Sequence, residues 1–431
     1  MPAAISNLNS FSINSNSFLF SRSNIPQALS RSTSSTSQST LPLPSTSAAV
    51  CYGPSDLRVD SRPLWPPAPG EATIALGPTG LCGSDLHYYT HGRNGDFALR
   101  APLVLGHEAA GTVTALGPGV TNLRVGQRVA VECGVMCGDC NKCKEGRYNL
   151  CKGMRFASSA KTFPHLDGTL QERMNHPAHL LHPIPENVSL ELAALAEPLS
   201  VLIHAARRVG LSSKDSTSTT TPKTVLVFGV GAIGLLACTL ARARGATRVV
   251  ALDINQQRLA FAQSNGLADA TYCLPLSNKT KSAGATQEEK LLAAKENIMA
   301  ALQHFDAPDG FDVVFECTGA EPCIQMSIHA CATGGRIMLI GMGTSNITLP
   351  LSAAATREVD ILGSFRYANT YPEALQLLSS GELRGIEKLI THRYRLEDAK
   401  EAFELMRRGR DEKGGLVIKV MVGGNASTSG N

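Results

Sequence analysis

Apolar and polar residues alternate over short distances between about residues 50 and 200. Runs of β-type composition are separated there by glycine and proline, as in EATIAL, AAGTVTAL and QRVAVEC. A period of two, bounded by turn-forming residues, is typical of strands with one buried face. This part of the chain is therefore predicted to form a compact β domain.

A different pattern begins after a polar insert at 212–223. Segments with helical periodicity then separate four continuous apolar runs, which are TVLVFG, RVVALD, DVVFEC and RIMLIG. Strands that are apolar on both faces and alternate with helices predict a parallel sheet covered on both sides. The longest apolar stretch, 225–240, contains glycines that favour a strand, turn and helix over a membrane span. Residues 277–303 predict a polar loop that leads into an amphipathic helix.

The two ends of the chain differ from both of these regions. The first 48 residues are rich in serine and threonine, contain Arg22 and Arg31 and have no acidic residue, which predicts disorder or, alternatively, an organelle transit peptide. Short helices and strands return after residue 365, and the last of them is expected to rejoin the β domain. The predicted division is a disordered extension at 1–48, a β domain at 49–200, an α/β domain at 201–364, a return to the β domain at 365–422 and a disordered tail at 423–431.

Composition excludes some classes of partner. The 431 residues are 43% hydrophobic and 18% charged, which is ordinary for a globular protein with two domains. A formal net charge of +4 is too small to predict binding to nucleic acid, and no segment predicts a membrane contact. The twelve cysteines, several in apolar surroundings, favour a reducing compartment. We therefore expect the cytoplasm, or an organelle if the N-terminal extension is a targeting segment.

Five cysteines lie between residues 133 and 151. Cys137, Cys140, Cys143 and Cys151 have the spacing CxxCxxC followed by a fourth cysteine, which lets one loop place four thiolates around a tetrahedral zinc. Cys133 falls outside this spacing. Four protein ligands leave no coordination position for water or substrate, so this site is predicted to be structural. Disulfides or free thiols are the alternatives.

A glycine motif follows the first strand of the α/β region. The segment GVGAIG lies directly after TVLVF and directly before the helical LLACTLARARG. Glycines there permit a tight turn and close approach to a pyrophosphate, which the N-terminus of the helix attracts. Asp253 ends the second strand, where a carboxylate accepts hydrogen bonds from ribose hydroxyls and repels a 2′-phosphate, so NAD is favoured over NADP. The predicted cofactor residues are Gly229, Gly231, Ile233, Gly234 and Asp253, with Arg258 either against the adenosine or merely solvated.

Two further fragments contain candidate metal ligands. GLCGSD contains Cys82, and LGHEAAG contains His107 and Glu108. A lone buried cysteine or histidine is more often a structural residue, but glycines flank both fragments and suggest backbones that are crowded around a common point.

These motifs together resemble a known family. GxCGSD, GHEAAG, the four-cysteine loop, EPLSV at 197–201, GVGAIG and GSFRYANTYPEA resemble the zinc-dependent medium-chain dehydrogenases, in the polyol branch that contains sorbitol, xylitol and L-arabinitol dehydrogenases. The resemblance covers roughly residues 50–422. It implies an α/β fold in which a GroES-like β domain is interrupted by a Rossmann domain, with the active site in the cleft between them. It also implies a homotetramer.

The resemblance further implies which residues act. Cys82, His107 and Glu108 would bind a catalytic zinc, while Glu197 would hold the metal-bound water. Simple alcohol dehydrogenases usually have a cysteine at the position of this acid, so Glu197 favours a polyhydroxylated substrate. Two zincs per chain and NAD are the expected cofactors, and the expected reaction is oxidation of a secondary hydroxyl to a ketone.

Other residues have roles that the same resemblance suggests. Ser84 is the expected first proton acceptor, with water on Glu197 as the alternative. Asp85 either orients a metal-bound imidazole or caps a helix. The residues expected to contact substrate hydroxyls are Tyr88, Arg366 and Tyr367, and Arg366 is also expected to contact the cofactor. Gly341 is expected either to let the backbone approach the nicotinamide or to serve only as a turn glycine.

Two other functions are compatible with the sequence. One is a zinc alcohol dehydrogenase for simple or aromatic alcohols, or a threonine-type dehydrogenase. The other is a non-catalytic protein that binds zinc or a dinucleotide. The presence of Cys82, His107, Glu108 and Glu197 argues against the second, because such proteins typically lose their catalytic ligands.

Overall fold

A computed structural model describes residues 44–211, 223–275, 284–343 and 346–424. The first strand begins at Ser45, so the expected start of the β domain at residue 49 is four residues too late. Thr46 and Ala48 to Cys51 are buried, which explains why this segment is ordered despite its serine-rich composition. Residues 212–222 of the polar insert, the first part of 277–303, residues 425–431 of the expected tail and most of the expected N-terminal extension lie outside the described residues.

The N-terminal region is built mainly from short strands. Its strands are β1 Ser45–Gly53, β2 Asp56–Pro63, β3 Glu71–Gly80, β4 Arg93–Asn94, β5 Phe97–Ala98, β6 Leu103–Val104, β7 Glu108–Leu116, β8 Arg128–Val131, β9 Gly134–Val135, β10 Arg155–Phe156, β11 Arg173–Pro177 and β12 Leu181–Pro183. The central sheet has the order β12-β8-β7-β3 and continues with two later strands, Lys419–Val422 (β20) and then Ile390–Tyr394 (β19), while β11 also pairs with β3. Smaller sheets are formed by β2-β1-β6, β10-β9 and β4-β5. Its helices are α1 Gly83–His91, α2 Asn141–Lys144, α3 Leu190–Ala194 and α4 Ala196–Arg208, with 3-10 turns at Tyr148–Leu150 and Ala178–Leu180.

The middle region is an α/β unit. The elements are β13 Thr224–Phe228, α5 Ala232–Ala243, β14 Arg248–Asp253, α6 Gln256–Ser264, β15 Ala270–Cys273, α7 Gln287–His304, β16 Phe311–Glu316, α8 Glu321–Ala330, β17 Cys331–Leu339, α9 Leu351–Ala355 and β18 Asp360–Gly363. All neighbouring strands of the six-stranded sheet are parallel, in the order β15-β14-β13-β16-β17-β18. The four apolar runs seen in the sequence form four of these strands, which confirms the predicted parallel sheet.

The last described segment returns to the first sheet. Strand β20 pairs antiparallel with β3, so a late segment of the chain joins the central sheet of the N-terminal region. The elements are α10 Tyr371–Ser380, β19 Ile390–Tyr394, α11 Ala399–Arg408 and β20 Lys419–Val422, with 3-10 turns at Ile386–Leu389 and Leu396–Asp398. No helix in the described residues is both long enough and apolar enough to cross a membrane.

Candidate functional site

Strand pairing brings Cys82 and His107 together. Strands β3 and β7 are antiparallel, and Gly80 at the end of β3 is opposite Glu108 at the start of β7. Cys82, just after β3, therefore meets the residues that begin β7. One potential ligand atom from each of Cys82, His107 and Glu108 lies within 4.8 Å of the other two. Sulfur, imidazole nitrogen and carboxylate oxygen are all zinc donors, so this cluster is chemically suited to a zinc ion.

The carboxylate of Asp85 lies against this cluster. Its Oδ1 lies 3.3 Å from His107 Nδ1, a charge contact without hydrogen-bond alignment, and accepts a hydrogen bond from Ser158 Oγ at 2.5 Å. Its Oδ2 accepts the Cys82 backbone N–H at 3.2 Å, at the start of α1. Burial alone would raise the pKa of Asp85, but the charge of His107 and the hydrogen bonds outweigh burial and lower it. The structure therefore places Asp85 in contact with both His107 and the backbone N–H of Cys82, the N-cap of α1, the contacts that its two alternative predicted roles require.

Glu108 forms an ion pair that sequence analysis missed. Lys419 Nζ donates to the two carboxylate oxygens of Glu108 at 2.8 and 2.6 Å, and both side chains are buried. Burial alone would lower the pKa of Lys419, but the charge of Glu108 outweighs burial and raises it. A Cβ at position 80 would collide with this carboxylate, which explains the glycine there. The signal available in the sequence was a lone lysine inside the apolar run GLVIKVMV.

Glu197 lies in the first turn of α4 and is 6% exposed. It does not belong to the group of three ligand atoms within 4.8 Å of one another. Burial raises its pKa to about 7, with the negative charge of Glu108 adding to the effect and His107 opposing it. A divalent cation nearby would lower this pKa again. Helix α4 packs against α5, which follows the glycine motif, so the same helix contacts both parts of the molecule.

Aromatic contacts connect the metal-ligand cluster to Arg366 and Tyr367. The Phe156 ring lies 5.6 Å from the His107 ring and 6.4 Å from the Tyr367 ring, measured between centroids. The guanidinium carbon of Arg366 lies 3.9 Å from the Phe156 centroid, a cation–π distance. The structure therefore places both residues beside the cluster, and Phe156 was not foreseen from the sequence.

Two hydrogen-bond donors beside Phe156 are buried without a partner of good geometry among the described residues. They are Arg366 Nη1 and the Tyr367 hydroxyl, and the hydroxyl lies close enough to Glu197 to oppose the rise in the pKa of that carboxyl. Burial lowers the pKa of Arg366 to about 10, so it stays charged at neutral pH. Burial, with the charge of Glu197 adding to it, raises the pKa of Tyr367 well above its ordinary value, so its hydroxyl stays protonated. Buried polar atoms without partners are rare in folded proteins, and here both are donors.

Ser84 and Tyr88 extend from α1 toward the same region. Ser84 Oγ lies 3.5 Å from His107 Nε2, the ring nitrogen that does not face Asp85. Tyr88 is 1% exposed, and its hydroxyl accepts the Ala160 backbone N–H at 2.9 Å. The neighbouring Ser159 Oγ accepts a long hydrogen bond of 3.5 Å from Arg366. Tyr88 and Arg366 therefore bond to two adjacent residues, Ala160 and Ser159.

The four-cysteine loop forms a second, separate cluster. The ligand atoms of Cys137, Cys140, Cys143 and Cys151 all lie within 4.8 Å of one another, and the described cysteines form no disulfide. The Cys140 backbone N–H donates to Cys137 Sγ at 3.5 Å and is the largest of the effects that lower the pKa of this thiol to about 6. Thiolates this close repel one another unless a cation lies between them. Cys133 belongs elsewhere, since its Sγ donates to the His107 carbonyl at 3.0 Å.

The glycine motif has the geometry of a dinucleotide loop. Gly229 has a φ of 82°, and a Cβ at Gly234 would collide with the Gly229 carbonyl, so both positions require glycine. Gly231 precedes α5 as its N-cap. Asp253 accepts the Val230 backbone N–H at 2.7 Å with one oxygen, which places the carboxylate directly against the loop. These positions match the strand, turn and helix that bind a pyrophosphate.

The remaining predicted cofactor residues are less clearly placed. Ile233 lies half-buried in the first turn of α5. Arg258 lies on α6 near Gly231, and its buried Nε has no hydrogen-bond partner among the described residues. A Cβ at Gly341 would collide with the backbone of Thr318 and Gly319, so close packing of two loops already requires this glycine.

Comparison with known proteins agrees with this geometry. Residues 68–186 match the family Alcohol dehydrogenase GroES-like domain, and residues 232–380 match the family Zinc-binding dehydrogenase. The sorbitol dehydrogenase of Bos taurus is 41% identical over 379 residues, which cover 88% of this chain and 96% of that protein. The crystal structure of L-idonate 5-dehydrogenase from Escherichia coli has a TM-score of 0.73 at 28% identity and covers 88% of this chain and 98% of that one. An alcohol dehydrogenase from Escherichia coli CFT073, complexed with NADH, has a TM-score of 0.73 at 26% identity over 88% of this chain and 99% of that one.

The three matches to individual proteins each cover 88% of this chain and at least 96% of the relative. With the family matches, they confirm the predicted combination of a GroES-like β domain and a Rossmann domain in a zinc-binding dehydrogenase. The chain is an oxidoreductase that acts on CH–OH groups, and it belongs to the zinc-dependent medium-chain dehydrogenases, in the polyol branch that contains the sorbitol dehydrogenases.

Proposed function

We propose that this protein oxidises a secondary hydroxyl of a sugar alcohol, of the sorbitol, xylitol or L-arabinitol type, to the ketose and transfers the hydride to NAD. The observation that supports this most strongly is the pair of unpartnered buried donors, Arg366 Nη1 and Tyr367 OH, next to a cluster of zinc ligands. The alkyl group of a simple alcohol would leave these donors unpaired, at a cost of roughly 1–3 kcal/mol each, whereas the additional hydroxyls of a polyol would pair them.

Cys82, His107 and Glu108 are the proposed ligands of the catalytic zinc. Three protein ligands leave one coordination position open for the reacting hydroxyl, as catalytic zinc sites require. Bound there, zinc would act as a Lewis acid that lowers the pKa of the hydroxyl to be oxidised. Asp85 orients the imidazole of His107 and so limits the direction in which its second nitrogen can bind. Lys419 keeps the carboxylate of Glu108 in place from the other side.

Two residues are proposed to move the proton that the reacting hydroxyl loses. Ser84 Oγ is 3.5 Å from His107 Nε2 and thus lies on the metal-facing side of the ring, where a serine hydroxyl can accept one proton and pass on another. Glu197, with a pKa near 7 before metal binding, can hold a water molecule or take up the proton itself.

Substrate orientation is assigned to Arg366, Tyr367 and Tyr88. The first two supply hydrogen-bond donors that have no partner in the described structure. Tyr88 is close to them because it bonds to Ala160, and Arg366 bonds to the adjacent Ser159. Donors fixed by burial discriminate strongly against substrates that lack the matching hydroxyls.

NAD is the proposed cofactor because of Asp253. Each of its oxygens accepts a backbone hydrogen bond, from Val230 at 2.7 Å and from Asn255 at 2.8 Å, and retains a lone pair for a ribose hydroxyl. A carboxylate held in this position repels the 2′-phosphate of NADP. Gly229, Gly231, Ile233 and Gly234 would contact the pyrophosphate side of NAD, Arg258 the adenosine side, and Gly341 and Arg366 the nicotinamide side.

A second zinc is proposed in the four-cysteine loop. Its four thiolates complete a tetrahedral coordination, so this metal would stabilise the loop without taking part in the reaction.

We also propose that the protein is a homotetramer in the cytoplasm, where free cysteines such as those described here stay reduced. An organelle remains the alternative if residues 1–48 act as a targeting segment. Light scattering would measure the oligomeric state, and a fluorescent fusion of the full chain would locate it.

Steady-state kinetics with sorbitol, xylitol, L-arabinitol and ethanol, each with NAD and NADP, test the proposal. We expect kcat/KM for at least one polyol to exceed that for ethanol by at least about 100-fold, with NAD preferred, and metal analysis to give two zincs per chain. Turnover of ethanol without turnover of polyols would instead favour a simple alcohol dehydrogenase. A protein with one zinc and no activity would favour a binding module.

A further inference from the structure

Three hydrogen bonds connect the four-cysteine loop to the segment at 365–369. Asn149 Nδ2 donates to the Phe365 carbonyl at 2.9 Å. The Asn369 backbone N–H donates to the Tyr148 hydroxyl at 2.7 Å, and Asn369 Nδ2 donates to the Gly146 carbonyl at 2.7 Å. The connections lie at the two ends of the segment, and Arg366 and Tyr367 lie between them. The loop that is predicted to be purely structural therefore contacts the segment proposed to orient the substrate.

The backbone of this segment needs such support. Arg366 has a φ of 52° and Asn369 a φ of 56°, in the left-handed region that residues with a Cβ seldom adopt. Neither residue lies in a helix or strand, so no ladder of backbone hydrogen bonds imposes this conformation. Unfavourable backbone angles persist only where surrounding contacts enforce them. Besides the three bonds from the loop, the guanidinium of Arg207 donates to the Asn369 carbonyl at 3.0 Å.

The anchoring side chains are themselves fixed. The Tyr148 hydroxyl donates to Glu132 Oε1 at 2.7 Å, which leaves its lone pair to accept from Asn369. Glu132 is 3% exposed, and its other oxygen lies 2.7 Å from His182 Nε2. Asn149 is 4% exposed. A hydrogen bond from a rigid, buried anchor determines the position of its partner more closely than one from a mobile surface residue does.

We propose that Tyr148 and Asn149 are positioning residues for substrate binding: they hold residues 365–369 in the conformation that directs Arg366 and Tyr367 toward the substrate. This rests on the proposed function, because it assumes that Arg366 and Tyr367 bind a polyol. The four-cysteine loop then has a specific role in substrate affinity, in addition to its role in stability.

The variants Tyr148→Phe and Asn149→Asp test this proposal, each removing one side-chain group that bonds the segment. We expect the KM for the best polyol substrate to rise about five- to tenfold in each, as the loss of one positioning hydrogen bond implies. The Kd for NADH, measured by fluorescence titration, should stay within twofold of wild type, as should the content of two zincs per chain. If Tyr148 and Asn149 contributed only to general stability, their substitution would change both the KM for the polyol and the Kd for NADH.

Matched controls make the same chemical changes elsewhere. Tyr52→Phe removes an exposed hydroxyl that bonds Asp60, and Asn187→Asp removes an exposed donor to the Ser379 carbonyl. Both controls should keep the wild-type KM. An unchanged KM in Tyr148→Phe and Asn149→Asp overturns the proposal, as does an equal rise in the controls or a parallel loss of NADH affinity. If Tyr148→Phe does not fold, Asn149→Asp alone decides. Absence of polyol turnover by the wild type would contradict the proposed function itself.

Discussion

The two clusters of metal ligands in this protein differ in almost every respect. Four thiols from one segment of fifteen residues, 137–151, form the first, and most of them are at least partly exposed. The second combines the thiol of Cys82, which follows β3, with an imidazole and a carboxylate at the start of β7, the strand paired with β3. In this cluster His107 and Glu108 are buried. Lys419 and Glu197, from distant parts of the chain, contact or approach only the second.

This difference fits the roles proposed above for the two sites. A closed set of four identical ligands satisfies zinc completely and needs only a loop that is able to bend around it. A site that binds substrate must leave one position open and must balance charge by other means, here through Asp85 and Lys419. Its construction therefore requires residues that only the tertiary fold brings together.

The largest expected effect comes from removing a ligand of the mixed cluster. We expect His107→Ala to lower kcat by at least about 10³-fold, because loss of the metal forfeits several kcal/mol of transition-state stabilisation. Zinc content should fall from two per chain to one, and the four-cysteine zinc should remain. His392→Ala, which removes a half-buried histidine at the edge of the same sheet, is the control and should retain activity. Retention of both zincs in His107→Ala would contradict the ligand assignment.

A smaller effect is expected from the ion pair behind Glu108. Lys419→Met leaves a buried carboxylate without its partner and should lower the free energy of unfolding of the zinc-free protein by about 3 kcal/mol. Thermal melts would show this as a lower Tm, and the added change Glu108→Gln should recover most of it. Zinc should reduce the loss, because the cation also balances the carboxylate.

Lys388→Met, which removes an exposed lysine bonded to Asn265, is the corresponding surface control and should leave the Tm nearly unchanged. If zinc-free Lys419→Met and the zinc-free wild type have the same Tm, the ion pair adds no stability.

The smallest effect on activity is expected from the four-cysteine loop. Cys143→Ser should remove one zinc per chain and lower the free energy of unfolding by about 2 kcal/mol, while kcat stays within about fivefold of wild type. Its KM for polyol should rise as in Tyr148→Phe, because the loop also supports residues 365–369. Cys273→Ser, a partly buried cysteine outside both clusters, is the control. A kcat loss as large as that of His107→Ala would mean that the two clusters do not have separate roles.

Much of the fold could be predicted because strand and helix periodicities are local. Thr224–Phe228 and Arg248–Asp253 form strands whose apolar pattern reflects burial on both faces. The start of the first domain could not be placed this way. Ser45–Gly53 begins in a serine-rich stretch, and its order comes from pairing with Asp56–Pro63, a contact that composition does not reveal.

The sequence by itself determined the two candidate sites whose residues lie within one short segment of the chain: the four-cysteine loop and the dinucleotide turn. Their geometry depends on spacing along one short segment, so spacing was sufficient to predict it. Only the tertiary structure placed Lys419 against Glu108, Phe156 between His107 and Tyr367, and Tyr148 against Asn369. These contacts join residues that are far apart in the chain or face each other across packed surfaces, where local patterns contain no information about which partner each side chain meets.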